Sequence, residues 1–320
     1  MQRVQIRVRP RTAFGSPLRG DTLFGQLAWA IRHRFGEERL GDLLQGYGEG
    51  HPFLVISDAF PADYLPRPSL PLAFYAAVDG DHKTLKRRSW LPRSALSRPI
   101  DQWLDAFVSA GGLPNGGVPN VYVQSHNSID RRSGTTTSDE GFAPYAHSQW
   151  WYDTTLEVTL DLYAVFDPSR ISEGDLQILL EDVGAFGYGR DATIGLGKFS
   201  VERVAPWEVS DPEQSTSYWC LAPCAPQGGN WDADRSFYVP FTRFGKHGDL
   251  GVHTRNLFKN PILMADTGAI LTPKNWETRL FVGSGLGGNG EISLGMRETV
   301  QQGYAPVLGI ALVKAAEELS

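Results

Sequence analysis

The stretch GAFGYGRDATIGLGKF, residues 184–199, places five glycines and two cations in sixteen residues, and what flanks it decides the fold. Gly187, Gly189 and Ala192 fit a G-x-G-x-x-A dinucleotide pattern. Such a loop must follow a strand and open a helix, so that the pyrophosphate meets helix N–H groups. Here the order is reversed. Before the loop, Ser172 and Asp175 form the N-cap and N3 pair of a capping box, with Ile171 and Leu176 placed as a hydrophobic staple. Leu176, Leu179, Leu180 and Val183 make a helical stripe, with Gly184 at the expected C-cap. After the loop, KFSVERV (198–204) alternates as a strand. Another decoy, GSGLGG (283–288), follows the strand-like TRLFV, but the next residues, NGEISLG, leave no helix for it to open. No cofactor is expected.

Working outward, LEVTLDLYAVF (156–166) puts Leu156, Val158, Leu160, Leu162 and Phe166 on one face of a strand. At the start of the chain, QRVQIRVRPR alternates Val4, Ile6 and Val8 against Arg3, Gln5, Arg7 and Arg9, a half-buried strand with a cationic outer face. DTLFGQLAWAIRHRF begins at Asp21 or Thr22 as N-cap and spaces Leu23, Phe24, Leu27, Ile31 and Phe35 as a helix ending near Gly36. PFLVISDAF (52–60) reads as a buried strand. The sequence of elements is therefore strand, helix, strand, a long insertion, strand, helix, glycine loop, strand. That is the α+β, β-α-β-β-α-β ferredoxin-like (RRM-like) arrangement over residues 1–205. The insertion, about 61–150, is rich in Pro, Gly, Ser and Arg and too long for an inert connection. Past Pro206 the polar WEVSDPEQSTS reads as a linker, and a second domain begins near YWCLAPC, giving a 206–320 unit.

The totals agree with two domains, since 320 residues exceed the roughly 150 of a typical one. With 41% hydrophobic and 21% charged residues the chain has the composition of an ordinary folded protein. The charged N-terminus has no secretory h-region and no apolar run is long enough to span a bilayer, so no membrane partner and a cytoplasmic location are expected. Two cysteines, Cys220 and Cys224, make no disulfide framework. The net charge of −6 argues mildly against nucleic acid, but the cations are unevenly placed. Arg3, Arg7, Arg9, Arg11 and Arg19 all precede the first acid, Asp21, and KTLKRRSWLPRSALSR (83–98) holds six cations without a carboxylate. Each run reads either as a phosphate-facing surface or as a solvated face.

PLRGDTLFGQLAWAIRHRFG, SDAFP, HNSIDRRSGTT, FGYGRDATIGLGKF, FGKHGD, KNPILM and QQGYAPVL, spread from residue 17 to about 308, resemble in type and order the motifs of the RAMP (repeat-associated mysterious protein) superfamily. Within it, they are most similar to the subunits that cap the crRNA 5′ tag in type III-A (Csm) CRISPR effector complexes. The resemblance implies two fused ferredoxin-like domains with a thumb-like insertion. It also implies a non-catalytic role: holding the repeat-derived tag and docking the large polymerase-like subunit, beside a RAMP backbone subunit and only indirectly against target RNA. RNA contacts are implied for Arg19, Gly20, Asp21 and Thr22, for Gly187, Tyr188, Gly189, Arg190, Asp191, Gly195, Gly197 and Lys198, and for Arg243, Lys246 and His247. HNSIDRRSGTT (126–136) resembles the thumb tip, which adds His126, Asn127, Arg131, Arg132 and Thr135. Residue chemistry supports the loop: glycines with positive φ can turn successive N–H groups toward one phosphate, Arg190 and Lys198 add charge, and Tyr188 offers a ring for an unpaired base.

Relatives in the superfamily process crRNA precursors with a histidine base, so a metal-independent endoribonuclease is the rival reading. His33 is its natural candidate, set opposite the apolar stripe of its helix. Arg32 and Arg34 flank it, and no carboxylate stands at i+4 to orient the ring. No catalytic residue is expected. The pairs Cys220/Cys224 and His247/His253 give C-x3-C and H-x5-H, but the 22 residues between them exceed a compact zinc pattern, and no metal is expected.

Overall fold

A computed structural model describes residues 1–76, 82–129, 131, 134–136, 144–153, 155–209, 211–248 and 258–312. The chain opens with β1 (Gln2–Pro10), α1 (Gly20–Phe35), α2 (Glu37–Leu44), β2 (Leu54–Ile56) and β3 (Phe60–Pro61). The insertion holds β4 (Tyr64–Pro66), α3 (His82–Arg87), β5 (Trp90–Pro92), α4 (Trp103–Ala106), β6 (Asn120–His126) and β7 (Tyr145–Trp151). Then come β8 (Leu160–Phe166), α5 (Glu173–Phe186) and β9 (Phe199–Pro206). These elements make an antiparallel sheet in the order β2-β8-β1-β9, with α1 running from β1 toward β2 and α5 from β8 to β9. The first half thus has the connectivity read from the sequence.

The second half differs from expectation. It comprises β10 (Ser217–Cys220), β11 (Pro240–Arg243), β12 (Ile262–Ala265), β13 (Ile270–Leu271), β14 (Phe281–Gly287) and β15 (Val300–Ile310), with a sheet ordered β13-β10-β15-β14. No α-helix occurs past residue 206 among the described residues, so the helices of a second β-α-β-β-α-β unit are not found there. This sheet docks on the first through β15: the Gln302 side chain accepts from Ile56 N at 2.9 Å and donates to Ile56 O at 2.8 Å. An amide thereby substitutes for a neighbouring strand at the unpaired edge of β2.

Periodicity located the elements and missed some boundaries. α5 carries the capping box at Ser172 and Asp175 and buries Leu176, Leu179, Leu180 and Val183. It runs past Gly184 to Phe186, and Gly187 at φ +113° is the cap. Gly184 is instead a contact point, because a Cβ there would strike the Phe199 carbonyl on β9. α1 starts at Gly20 with Arg19 as N-cap and no side-chain cap bond, so neither Asp21 nor Thr22 caps it. Leu23, Phe24, Leu27 and Ile31 are buried as expected, but Phe35 in the last turn is exposed, and so is Leu156, four residues before β8 begins.

The insertion has two parts. Leu65, Leu91, Ile100, Trp103, Leu104 and Phe107 bury with Tyr163 of the first sheet and Trp219, Ile270 and Leu308 of the second, so this part is a packed layer. Among the described residues of the insertion, β6 and β7 alone project, as a hairpin whose β6 side chains are almost all exposed.

That packed layer changes the meaning of the arginines on β1. Their face is covered, and carboxylates distant in sequence meet them. Asp161, fully buried, receives Arg7 Nε at 2.9 Å and Nη2 at 3.0 Å, and Asp63 takes Nη2 at 2.9 Å. Arg3 reaches Asp211 at 3.5 Å and lies over Trp207, while Arg9 and Arg11 share Glu202. In the 83–98 run, Arg93 crosses to Gln5 and lies over the Tyr163 ring. The strand that read either as a phosphate-facing surface or as a solvated face has its arginines paired with carboxylates, largely buried at Arg3 and part-exposed at Arg7 and Arg9.

Candidate functional site

The glycine loop hangs between the end of α5 and the start of β9, and its conformation needs the glycines. Gly187, Gly189, Gly195 and Gly197 all have positive φ, as does Asp191 at +64°. A Cβ on Gly197 would land on the Tyr188 carbonyl oxygen. The loop does not present a continuous row of N–H donors, however. Gly187 N bonds Val183 O, Tyr188 N bonds Gly197 O at 2.9 Å, Arg190 N bonds Ser16 Oγ at 3.0 Å, Gly197 N bonds Ala13 O at 2.7 Å and Lys198 N bonds Thr12 Oγ1 at 2.9 Å. Much of the expected phosphate nest is spent on fastening the loop to residues 12–16. The N–H groups of Gly189, Asp191, Ala192 and Thr193 take no such partner among the described residues.

Tyr188 is not a stacking surface. Its ring is fully buried against Phe14, and its hydroxyl donates to Pro17 O and accepts from Arg19 N, both at 2.9 Å. Burial pushes the phenol above its ordinary value. The tyrosine therefore ties the loop to the first turn of α1. At that turn Arg19 meets Asp266 and, at 3.4 Å, Asp58. Gly20 N donates to Asp58 at 2.8 Å, and Thr267 donates to its other oxygen at 2.6 Å. A Cβ on Gly20 would collide with the Ile56 carbonyl, so the helix start is pressed against β2. Burial pushes the Asp58 carboxyl up to about 6, against the pull of Arg19, the Thr267 hydroxyl and Gly20 N–H.

Asp21 and Arg243, both implied to touch RNA, touch each other: Arg243 Nε and Nη2 grip the buried Asp21 carboxylate at 2.6 and 2.9 Å. A bidentate pair of this kind is strong and directional. Thr22 N also donates to Asp21. His247 is buried, hydrogen-bonded to Ser293 Oγ at 2.8 Å, and pushed down in pKa by burial and by Lys259. It is a neutral packing group and not a surface contact. Lys246 beside it is exposed, as is Lys198. Arg19, Gly20, Asp21 and Arg243 thus form one clamp between the two halves of the chain, because each charge is matched by a carboxylate or guanidinium from elsewhere.

Arg190 remains half exposed at the loop tip. Its guanidinium bonds Ser148 O on β7 and meets Asp191 at 3.2 Å. Asp191 in turn lies 3.5 Å from His147 Nδ1. The loop is therefore attached to the stem of the hairpin, a junction the sequence reading missed. His126 stacks on Tyr145 at 5.2 Å, and Asn127, Arg131 and Thr135 are exposed beyond the strand ends. Arg132 lies outside the described residues. The signal that could have found the junction is in YAHSQWW (145–151), whose rings recur at strand spacing.

His33 is exposed near the end of α1, its ring 6.2 Å from Trp29. Cys220 and Cys224 are buried with sulfurs 3.9 Å apart, and their mutual hydrogen bond and burial push the Cys220 thiol up in pKa. His253 lies outside the described residues. Among those described, no three His, Cys, Asp or Glu are placed to hold a metal ion, and no helix is long and apolar enough to cross a membrane.

No protein-family model and no curated protein matches the chain. Solved structures do. A chain of the Csm1-Csm4 cassette in complex with pppApA superposes with TM-score 0.58 at 16% identity, covering 98% of this chain and 100% of that one. The same cassette with cA4 gives 0.58 at 17% with the same coverage. A chain of the Csm3-Csm4 subcomplex of the type III-A CRISPR-Cas interference complex gives 0.58 at 13%, covering 97% and 99%. At these identities the likeness is one of fold, and it extends over the whole chain.

Proposed function

We propose that this chain is a RAMP subunit of a type III-A CRISPR effector that holds the repeat-derived 5′ tag of crRNA, docks a large Csm1-like subunit and adjoins a Csm3-like backbone subunit. The observation that carries this reading is the full-length fold likeness to chains from both the Csm1-Csm4 cassette and the Csm3-Csm4 subcomplex, which have the Csm4 component in common. The ferredoxin-like connectivity of the first half and the cations Arg190, Lys198 and Lys246 support RNA binding, since single-strand binders pair exposed cations with stacking surfaces. Arg19, Asp21, Tyr188, Arg243 and His247 serve in this reading by holding the site together. They are not contacts in themselves.

The proposal includes no chemical step. Purified protein should bind a short RNA carrying the repeat tag more tightly than one of scrambled sequence, and leave both intact with or without divalent cations. Arg190→Ala should lower the log-log salt slope of tag binding by about 0.7, the value for one phosphate contact on a single strand. Equal affinity for the scrambled RNA would reject the reading. Specific cleavage abolished by His33→Ala would establish a processing endoribonuclease instead.

A further inference from the structure

One face of α1 meets the ribbon formed by β11 and β12 in the second half. Asp21, Gly25 and Trp29 stand at i, i+4 and i+8 on the helix and share that face. The ribbon is fastened at both ends of the stripe. At one end Arg243 holds both oxygens of Asp21, at 2.6 and 2.9 Å. At the other, a Cβ on Gly248 would lie 3.8 Å from the Trp29 indole nitrogen. Between them, no atom from elsewhere in the described residues comes within 4 Å of where a Cβ on Gly25 would stand. A glycine inside a helix costs stability relative to alanine, and close packing requires Gly20 and Gly184 but not this one.

Lys259, just ahead of β12, runs toward this gap. Its N–H bonds Gly245 O at 2.9 Å, and its stem crosses Gly245, where a Cβ would stand 3.0 Å from Lys259 Cδ. Gly245 lies between Arg243 and Gly248 in the chain, so the lysine crosses the ribbon between the two fastenings. Its ammonium feels the pull of Asp21 and itself pushes His247 down in pKa. It is partly buried and has no hydrogen bond or ion pair among the described residues, because Arg243 already occupies the Asp21 carboxylate. Burial pushes the amine below the ordinary lysine value in spite of Asp21.

We infer that the cleft between α1 and the β11–β12 ribbon, at Gly25, is a binding site for one phosphate group, with the Lys259 ammonium as its counter-charge. A cation kept without a partner in a partly buried place is costly, and an anion delivered there relieves the cost. The ammonium presents three donors, which suits a tetrahedral oxyanion. Glycines at 25, 245 and 248 keep the walls free of side-chain bulk, and Thr22 and Gln26, partly exposed beside Gly25, border the cleft with neutral donors. The phosphate belongs either to an RNA backbone or to a free ion, one chemistry from two sources. Since α1 and the ribbon come from different halves of the chain, an occupied cleft ties the halves together. The site stands whether or not the chain holds a crRNA tag.

The test uses the full chain at constant ionic strength, read by scanning calorimetry and by binding titration. Inorganic phosphate at about a hundredfold its Kd should raise the Tm by about 4 °C, and acetate should not. Lys259→Met keeps the stem and removes the charge. It should raise the Tm of the ligand-free protein and abolish the response to phosphate, whereas loss of a lysine that merely supports the fold would lower the Tm. Gly25→Leu, a better helix former, should keep the fold and block the cleft. Lys274→Gln, an exposed lysine elsewhere, should change nothing. If RNA supplies the phosphate, Lys259→Met should weaken tag RNA binding about tenfold or more and lower its log-log salt slope by about 0.7. A response to neither ligand, an equal response to acetate, or responses that survive in both Lys259→Met and Gly25→Leu overturn the inference. If Arg190→Ala weakens RNA binding while Lys259→Met alters the response to neither ligand, the phosphate site fails and the RNA-binding reading stands. If the parent binds no RNA but loses its phosphate response in Lys259→Met, the RNA-binding reading fails and the site stands as one for the free ion.

Discussion

Tyr188→Phe separates a fastener from a stacking ring. The phenol oxygen donates to Pro17 O and accepts from Arg19 N, each at 2.9 Å, at the first turn of α1. Removing it leaves one acceptor and one donor without partners in a partly buried place, a loss of about 1–3 kcal/mol. Unfolding entropy of about 2.1 cal/mol/K per residue over the chain gives about 0.67 kcal/mol/K, so the Tm should fall by about 1.5–4.5 °C if the chain melts as one unit. Scanning calorimetry reads this directly, and tag RNA affinity measured well below the Tm should stay as in the parent. A base-stacking tyrosine behaves differently, because phenylalanine keeps the ring. An unchanged Tm for Tyr188→Phe, combined with lost RNA affinity for Tyr188→Leu at intact stability, would refute the reasoning.

Asp161→Asn should cost several kcal/mol, within the roughly 3–5 kcal/mol of a broken buried pair and toward its lower end because Arg7 is partly solvated; a urea midpoint equal to the parent's would contradict the ion-pair layer. Gly195→Ala and Gly197→Ala both force an L residue to positive φ, but only the second meets the Tyr188 carbonyl. The first should cost about 1 kcal/mol and the second several times more, and equal midpoints would show that the loop relaxes around the added methyl. Asp58, raised from 3.8 to about 6 in the fold, contributes stability that is full below the lower value and lost as pH rises toward 6. Asp58→Asn should flatten the fall in stability across that window, which amounts to about 3 kcal/mol for a two-unit shift; parallel pH profiles for parent and variant would remove Asp58 as its source.

How far the sequence could be read depended on the range of the interaction involved. The capping box at Ser172, the stripe Leu176, Leu179, Leu180 and Val183, and the alternation of Val4, Ile6 and Val8 are set by neighbours within a few residues, and all are present in the fold. From their order the β2-β8-β1-β9 sheet follows, since short connections and two crossing helices leave few other arrangements. The glycine loop was equally readable as a place needing positive φ. Which side chains face a ligand was not. Arg7, Asp161 and Asp63 are far apart in sequence, as are Arg243 and Asp21, and no pattern along the chain says that they will meet. A run of cations without nearby acids looks unpaired only in one dimension. Folding brought carboxylates to the part of that run it covered, because an unpaired buried charge is too costly to keep, while Arg11 stays more than half exposed. The same folding buried Tyr188, although exposed and buried tyrosines look alike in sequence. It left Tyr122, Tyr145 and His147 outward on one face, because the pairing of two strands fixes which side chains share it.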